Sequence, residues 1–425
     1  MTGSSRLTIW SPHVTHFSKP QLEPVRTLRG IRIVHASTSA NMLTAFGRVM
    51  AARLIEEGAD LYLLASSRPI YGRPADIEEL RGMGGTPITV PLESGVRPWN
   101  LVSNVVRLQR IFREIKPMVV HTRGSVMGIV GRIAARAAGV PCVVHHQDDL
   151  HVREASLGPL KRWFTGRVER WLGNHSDHTF VVSDEVARVA ADLGIDASRI
   201  TNVGHDLSFS IRQGARVPRP PRAEVPILAK HGITETHFLV GAITRLEAHK
   251  GVDTLIYAAA AASKSVPTAR FLVRGRGPGR ERLERLIHEQ GIADRFFLVD
   301  DWLSDNELIR LYKSFDLFAL PTRREGFGMA FAEAMLLGVV PVAPDIPPVN
   351  EVVTRDTGLL VRPNASAFAD AICWASENPV AMQRLRERAS AEAERRWGGT
   401  RAADRVIATY QALLEACQPG QPSIP

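Results

Sequence analysis

The sequence predicts an α/β protein built from two doubly wound parallel sheets. The first reason is length, because 425 residues exceed what one hydrophobic core usually accommodates and two domains are therefore expected. The second is composition: 44% hydrophobic and 23% charged residues are typical of globular chains and exclude disordered or collagen-like ones. The third is an alternation of short apolar runs with longer amphipathic stretches, which is typical of strand and helix units in a parallel sheet.

The first half of the chain contains one series of such units. Its short apolar runs predict strands at 31–36, 61–65, 118–122, 142–146 and 178–182. The stretches between them repeat apolar residues at helical spacing, and they predict helices at 42–57, 101–115, 126–138 and 160–172. The first half is therefore expected to form its own sheet.

The second half repeats the pattern. Its predicted strands are 238–243, 270–273, 295–299, 316–321 and 339–343, again separated by helical segments. Between the two series lies RQGARVPRPPRAEVP (212–226), whose prolines should neither continue a helix nor pair inside a sheet. We interpret this segment as an interdomain linker; the alternative is a long surface loop. The predicted organisation is a poorly ordered segment 1–30, a first domain 31–212, a linker 213–226, a second domain 227–395, a helix 396–416 that crosses back to the first domain, and a tail 417–425.

Charge and hydropathy limit the partners and the location of the chain. The net charge is +9, and residues 1–215 carry +7 of it, so the first half favours an anionic partner. We expect an anionic membrane surface or a phosphorylated acceptor and no nucleic acid, because no nucleic-acid motif occurs. The first thirty residues lack the apolar core of a signal peptide, and no long uncharged apolar run follows. The three cysteines are scattered, so we expect reduced thiols in a cytoplasmic protein, with peripheral attachment to the inner face of the plasma membrane as a hypothesis.

The segment PTRREGFGMAFAEA (321–334) carries the most chemical information. A strand runs into a turn with Gly326 and Gly328 and then into a helix with Glu333 inside an apolar stretch. A carboxylate in such a place needs a protein cation or ligand hydroxyls to offset its burial. Glycines at a helix start let a phosphate approach free N–H groups. Glu333 would lie roughly 7–8 Å into the helix, so Glu325 and Glu333 could hold different parts of one elongated ligand.

Two further turns follow strands of the same predicted sheet. GAITRLEAHKG (241–251) places Arg245, His249 and Lys250 on one loop, and RGRGP (274–278) follows the next strand. Ligands of open parallel sheets bind at the carboxyl ends of strands. An arginine fork and a lysine point charge could neutralise a diphosphate there without a metal ion. A Gly-x-Gly turn alone is often only structural, so the convergence of the three turns carries the argument.

These motifs resemble the donor domain of a family-4 retaining glycosyltransferase of the GT-B fold, in which two Rossmann-like domains face a cleft. The resemblance runs from about residue 31 to 412 and is most specific over 241–361. It implies transfer of a hexose-type sugar from a UDP- or GDP-sugar to a glycan or lipid-linked acceptor in cell-surface polysaccharide synthesis, with no metal or other cofactor. The residues that it implies are catalytic Arg245, Lys250 and Glu325, and donor-binding Glu333, Gly326, Phe327, Gly328, Gly275 and Gly277.

The first half is similar to the acceptor domains of the same enzymes, through KPMVVHTRGSVMGIVGRIAARAAGVPCVVHH. In that family a histidine near the donor sugar follows this strand, and here either His146 or Asp148 could take its place. Arg276 stands where an Asp is common, and Pro347 and Pro348 replace a Gly-Gly pair. These differences keep two alternatives open, a catalytically silent nucleotide-sugar-binding protein and a sugar-nucleotide epimerase of the same fold.

The predicted helix 160–172 is amphipathic. One face holds Leu160, Trp163, Phe164, Val168 and Trp171. The basic residues Lys161, Arg162, Arg167 and Arg170 lie largely elsewhere. We interpret that face as packed into the first domain; the alternative is a helix that lies on anionic lipid.

Overall fold

The computed structural model describes residues 28–67, 74–92, 98–150 and 158–416. The predicted N-terminal segment 1–30 lies outside this range except for its last three residues, and so does the predicted tail 417–425.

The first half of the chain forms a parallel sheet. Over the described residues it has seven strands in the order β3-β2-β1-β4-β5-β6-β7. The strands are β1 (Arg32–Ser37), β2 (Asp60–Ser66), β3 (Thr86–Val90), β4 (Val119–Arg123), β5 (Cys142–Gln147), β6 (His178–Val181) and β7 (Ile200–Asn202). The five predicted strands are confirmed. The sequence missed the two outermost strands: β3 is only partly buried and carries a proline, and β7 has three residues, so neither makes an apolar run.

Helices connect these strands. They are α1 (Ala40–Phe46), α2 (Arg48–Glu56), α3 (Pro74–Arg81), α4 (Pro98–Ile115), α5 (Ser125–Ala137), α6 (Pro159–Asn174), α7 (Asp184–Asp192) and α8 (Phe209–Ala215). The single helix predicted over 42–57 is wrong, because the chain breaks at Gly47 into α1 and α2. The N–H of Gly47 donates to the carbonyl of Leu43, which ends α1, and a glycine weakens a helix at that point.

The second half forms the other parallel sheet. Its strands, over the described residues, follow the order β10-β9-β8-β11-β12-β13. They are β8 (Phe238–Ile243), β9 (Ala269–Arg274), β10 (Phe296–Val299), β11 (Leu317–Ala319), β12 (Val340–Pro344) and β13 (Leu359–Val361). All five predicted strands are confirmed, and the missed β13 is again a three-residue edge strand. The α/β fold of two doubly wound sheets is therefore confirmed.

The described residues of the second half also form helices. They are α9 (Pro226–Lys230), α10 (Val252–Ser265), α11 (Arg280–Glu289), α12 (Asp305–Ser314), α13 (Met329–Leu336), α14 (Val349–Val352), α15 (Ala365–Glu377), α16 (Pro379–Trp397) and α17 (Arg401–Ala416). The prediction that segment 212–226 cannot continue a helix is wrong at its start. Its first proline is Pro218, so α8 extends to Ala215 without meeting one.

The last helix, α17, packs on the first sheet. Val406 and Tyr410 belong to the same buried cluster as Ile33 of β1 and Phe180 of β6. The carboxylate of Asp206 caps α17 by accepting hydrogen bonds from the N–H groups of its second and third residues, both at 2.9 Å. The two halves are thus joined both by the chain between the sheets and by this returning helix.

Helix α6 packs differently from our interpretation of its sequence. Leu160, Trp163, Phe164 and Trp171 are exposed, and the buried residues of the helix are Leu172 and Gly173. The expectation that the large apolar face packs inward is therefore wrong. None of the described helices combines the length and apolar character needed to cross a bilayer.

Candidate functional site

Lys250 and Glu325 form an ion pair at the edge of the second sheet. Lys250 ends the loop after β8, and Glu325 lies in the loop between β11 and α13. The Nζ atom of Lys250 is 2.8 Å from Oε1 of Glu325, and the side chains are only 14% and 10% exposed. Each charge therefore offsets the desolvation of the other. The structure brings together two of the three residues that we predicted to be catalytic.

The two loops are held together by their backbones. Gly251 has a left-handed φ of +71°, and a Cβ atom there would lie 1.8 Å from the carbonyl oxygen of Pro321. The N–H of Arg323 donates to the carbonyl of His249 at 2.7 Å. Only glycine permits this approach and this φ. The position of Lys250 beside Glu325 thus depends on Gly251.

Arg245 lies on the same loop but is more exposed. Its guanidinium group is 2.8 Å from Oε1 of Glu247, and its side chain is 58% exposed. The other oxygen of Glu247 is 3.4 Å from Nδ1 of His249. Glu247 holds the exposed cation of this loop and was not among the predicted site residues.

Glu333 occupies the fifth position of α13, whose N-cap is Gly328, as the sequence predicts. Its Oε2 atom accepts a hydrogen bond of 2.7 Å from the hydroxyl of the fully buried Tyr312. Burial raises the pKa of Glu333 to about 7, and the hydrogen bond from Tyr312 opposes that rise only in part. A carboxyl group that titrates near neutral pH is typical of functional sites.

The glycines of the RGRGP turn (274–278) lie against the loop 241–251. A Cβ at Gly275 would be 1.8 Å from the carbonyl oxygen of Thr244, and one at Gly277 would be 2.7 Å from that of Leu246. These contacts give both glycines a structural reason. Their assignment to donor binding stays a prediction.

Gly326 and Phe327 lie where the two domains meet. A Cβ at Gly326 would be 1.8 Å from the carbonyl oxygen of Asp148 in the first domain. The carbonyl of Gly326 accepts a 2.7 Å hydrogen bond from the hydroxyl of Ser183, also in the first domain. The buried ring of Phe327 makes edge contacts with His205 and Trp397, at centroid distances of 5.1 and 5.8 Å. The glycine-bearing turn therefore serves the interface, and its binding of a sugar or phosphate stays a prediction.

Asp148 is fixed by an arginine of its own domain. Arg123, at the end of β4, donates from Nε to Oδ2 of Asp148 at 2.8 Å and from its NH2 group to Oδ1. Burial opposes ionisation of Asp148, but the positive charge and hydrogen bonds of Arg123 prevail and hold its pKa below the ordinary value. Asp148 is therefore an oriented carboxylate at the carboxyl end of β5.

His146 is buried, and its Nε2 atom lies 4.0 Å from Oδ1 of Asp148. Its ring stacks on His121 with a centroid distance of 5.5 Å, and its Nε2 atom is buried without a hydrogen-bond partner. We define the histidine cluster as His35, His121, His146 and His205, whose buried rings lie side by side. Burial lowers the pKa of every member, to about 3 for His35 and His205.

A cleft of about 870 Å³ separates the two domains. From the first domain, its lining includes Asp149 and Glu185, and from the second domain it includes Glu247, Arg324 and Glu325. Asp149 and Arg324 approach to 3.3 Å across the cleft. Lys250 and Glu333 are not part of this lining among the described residues. The predicted site thus borders the cleft through Glu325, while Asp149 and Arg324 were missed because their pairing joins different domains.

A second contact between domains was also missed. The carboxylate of Glu351, in α14, accepts hydrogen bonds from the N–H groups of Asp184 and Glu185, both at 2.8 Å. These N–H groups open α7 of the first domain and have no partner within the helix. The second domain therefore caps a helix of the first.

Two families match the chain. The family described as "Glycosyl transferases group 1" matches residues 226–396, and the "Glycosyl transferase 4-like domain" matches residues 44–204. The matched regions fall on the second and the first sheet respectively.

Curated relatives and solved structures extend over most of the chain. The alpha-D-kanosaminyltransferase of Streptomyces kanamyceticus is 25% identical over 371 residues, which cover 84% of this chain and 91% of that protein. An Escherichia coli protein, UDP-Gal:alpha-D-GlcNAc-diphosphoundecaprenol alpha-1,3-galactosyltransferase, is 25% identical over 66% of this chain and 71% of its own length. The solved structure of Anabaena Alr3699/HepE in complex with UDP and glucose superposes with a TM-score of 0.75 at 18% identity and covers 90% of this chain and 99% of that one. Since the two matched families account for both domains and the fold agrees over nearly the whole chain, the chain belongs to the family-4 glycosyltransferases of the GT-B fold.

Proposed function

We propose that the chain transfers a hexose-type sugar from a UDP- or GDP-sugar to a glycan or lipid-linked acceptor in cell-surface polysaccharide synthesis, with retention of the anomeric configuration. The observation that carries the proposal is the Lys250–Glu325 pair, placed beside the cleft by the loops after β8 and β11. Ligands of open parallel sheets bind at such strand ends. The Anabaena structure in complex with UDP and glucose and the E. coli relative named for a diphosphoundecaprenol acceptor support the donor and acceptor classes.

The leaving diphosphate needs positive charge. Lys250 and Arg245 lie on one loop, and the N-terminus of α13 begins a few residues after Glu325. Fixed cations and free N–H groups stabilise charge that develops as the sugar–phosphate bond breaks. We assign the diphosphate to Arg245, Lys250 and the backbone of Gly326, Phe327 and Gly328. Transfer would then need no divalent cation, so activity should persist in EDTA; its loss in EDTA and recovery with Mg²⁺ would overturn this assignment.

The sugar develops positive charge at its anomeric carbon in the transition state. Glu325 is a carboxylate held by Lys250 at the wall of the cleft, and Asp148 is a second carboxylate held by Arg123 at the facing domain. We propose that Glu325 positions the donor sugar and that Asp148 takes the place of the family's acceptor-domain histidine. His146 is not suited to that role, because its ring is buried in the histidine cluster.

Glu333 is proposed to bind the ribose hydroxyls of the donor nucleotide. Its carboxyl group already accepts one hydroxyl hydrogen bond, from Tyr312, and it lies one and a half turns from the N-terminus of α13. A carboxylate oxygen accepts more than one hydrogen bond, so a ribose can be added without loss of Tyr312.

The test has two stages. Thermal unfolding is first measured with UDP, GDP and ADP and their sugar conjugates, because a ligand at about 100 times its Kd adds roughly 2.7 kcal/mol to stability. One nucleotide should stabilise the protein, and Glu333→Ala should remove that effect. The stabilising donor is then incubated with glycan and polyprenyl-diphosphate acceptors, and the product anomer is assigned by NMR.

The outcomes separate the candidate functions. A product with the donor's anomeric configuration supports the proposal, and an inverted product overturns retention. Nucleotide binding without turnover on any acceptor would identify a silent binding protein, and conversion of the donor sugar without acceptor would identify an epimerase.

A further inference from the structure

The outer face of α6 consists of large apolar side chains that are each more than half exposed. We define the outer face as Leu160, Trp163, Phe164 and Trp171, whose exposures are 78%, 61%, 62% and 52%. Their spacing of three, four, seven and eight residues places them on one side of the helix. Single exposed apolar residues are ordinary on protein surfaces, but a contiguous cluster of large ones is typical of a binding surface.

The opposite side of α6 attaches the helix to the first domain. Glu169 reaches Arg132 of α5 at 3.2 Å, and Gly173 lies so close to Ile195 that a Cβ would be 2.7 Å away. Gly166 lies in a similar way against Leu193. Small residues therefore attach the helix to the domain, and the large apolar residues are not needed for its packing.

Charge on α6 favours an anionic occupant. The helix carries four basic residues, Lys161, Arg162, Arg167 and Arg170. Its one acidic residue, Glu169, is paired inward with Arg132. The guanidinium group of Arg167 lies over the ring of Trp163, 5.5 Å from its centroid. Aromatic rings flanked by cations on long apolar stems are typical of helices in a membrane interface.

Helix α4 carries a second surface of the same kind. It packs along α5, and α5 is joined to α6 by the ion pair of Arg132 and Glu169. Trp99 and Val102 are exposed near the start of α4, and Arg110 and Arg113 are exposed farther along it. The apolar and basic surface therefore extends beyond one helix.

We propose that the outer face of α6, together with the exposed side of α4, docks the first domain on an anionic phospholipid bilayer. The rings of Trp163, Phe164 and Trp171 enter the headgroup region, and the arginines bind lipid phosphates. A second copy of the chain is a poorer occupant, because twofold pairing through this face would bring the same cations together. Docking would place the cleft near a lipid-linked acceptor, which rests on the proposed function, but lipid binding itself does not.

Vesicle co-sedimentation of the full-length protein tests the proposal. Vesicles of phosphatidylcholine mixed with phosphatidylglycerol should bind the protein at low salt, and binding should weaken at high salt. Vesicles of phosphatidylcholine alone should bind much less. The double variant Trp163→Ser/Phe164→Ser should lose at least about ten-fold in partitioning, because it removes two buried rings from the interface.

The matched control is Trp374→Ser, which removes a 40% exposed tryptophan of the second domain and should leave partitioning unchanged. Thermal unfolding of each variant confirms that it is folded. Absence of binding to anionic vesicles at low salt, or unchanged binding of the double variant, overturns the proposal. Self-association that the double variant abolishes, without vesicle binding, would instead make this face a protein interface. No donor or acceptor is present, so these outcomes are independent of the proposed function.

Discussion

Glu333 is a carboxyl group that titrates near neutral pH. Its pKa is raised to about 7 by burial, so about half of the molecules carry it protonated at neutral pH. Ribose hydroxyls donate hydrogen bonds, and the ionised carboxylate is the better acceptor. If Glu333 binds the ribose, nucleotide binding favours the ionised form and releases a proton.

Nucleotide affinity is therefore expected to rise with pH. At about pH 6 only about a tenth of Glu333 is ionised, so affinity should be up to about ten-fold weaker than at about pH 8. Isothermal titration with the nucleotide diphosphate over this range measures the effect. The ligand's own phosphate also titrates, so Glu333→Gln is the control: the difference in pH dependence between the two proteins belongs to Glu333. Equal pH profiles would contradict the assignment.

Lys250 has both a structural and a chemical role, and they can be separated. Lys250→Ala leaves the poorly exposed carboxylate of Glu325 without its partner, which should cost stability as well as transfer. Replacing both partners, as Lys250→Met/Glu325→Gln, should recover stability because no buried charge is left. Transfer should stay at least about 100-fold below wild type in kcat/KM, since the diphosphate has lost its cation. Arg245→Ala should lower kcat/KM less than Lys250→Ala does, because the side chain of Arg245 is largely exposed.

Recovery of transfer in that double variant would show that the pair acts only as structure. Urea denaturation and initial-rate kinetics on the same preparations provide the two readings.

Residue types and turns could be predicted, but pairings could not. Glu325, Glu333 and Lys250 follow strands in glycine-bearing turns, and that local pattern is visible in the sequence. Tyr312, which binds Glu333, precedes it by 21 residues on another helix. His146 and Asp148 were open alternatives because they lie at the end of the same strand, two residues apart, and therefore fall on the same side of it, so strand parity does not distinguish them. In the structure the ring of His146 is buried and Asp148 is held by Arg123, with Nε2 of His146 4.0 Å from Oδ1 of Asp148. The assignment of the family's histidine role to Asp148 stays a prediction.

At the level of elements, burial decided more than length what the sequence could reveal. The ten recognised strands include the three-residue β11, whose residues are all buried. The missed strands β3, β7 and β13 are edge strands with at most one buried residue each. Helix α6 had a clear period, but a period gives only the existence of an apolar face and not its direction. Its orientation follows from the glycines on the other side, Gly166 and Gly173, whose close contacts hold the helix to the domain.

The N-terminus of α7 is expected to couple domain closure to transfer. Glu351 accepts from the first two N–H groups of α7, and Ser183 accepts from the third. Opening the cleft would leave those first two N–H groups unpaired, so Glu351 stabilises the closed form. Glu351→Ala should lower kcat/KM for transfer by about ten-fold or more. Nucleotide affinity should change much less, because the proposed nucleotide residues belong to the second domain.

The comparison of kcat/KM with nucleotide Kd distinguishes coupling from general damage. Asp356→Ala is the matched control, since it removes an acid of the same domain that is 84% exposed. Parallel loss of both quantities in Glu351→Ala would indicate a disturbed second domain instead of weaker closure.

At the scale of the whole molecule, the returning helix α17 closes the histidine cluster. The Nδ1 atom of His121 shares a hydrogen bond with the hydroxyl of Tyr410. The other ring nitrogen of His121, Nε2, is buried without a hydrogen-bond partner. Both ring nitrogens of His35 are likewise buried without partners. Four neutral imidazoles therefore form a buried compartment between the first sheet and α17, and the ion pair of Arg123 and Asp148 borders it.

This compartment should make the fold sensitive to acid. Burial lowers the pKa of His35 to about 3, while the unfolded chain titrates near 6.5, so the unfolded state binds more protons between these values. The contribution of His35 to stability is therefore complete above about pH 6.5 and falls by about 1.4 kcal/mol per pH unit below it. Glu333 has the opposite sign, because its raised pKa favours the folded state as pH falls through about 7.

The contribution of His35 is therefore isolated by comparing the pH dependence of the unfolding free energy in the wild type and in His35→Leu. His35→Leu removes one buried imidazole whose nitrogens have no hydrogen bond to lose. Between about pH 7.5 and pH 5.5, the wild type should lose about 1.4 kcal/mol more unfolding free energy than the variant, as measured by urea denaturation. The contribution of Glu333 cancels in this difference, and Asp148, whose pKa lies below its ordinary value, titrates only at lower pH. Equal losses in the two proteins would mean that His35 is protonated in the folded state or reached by water.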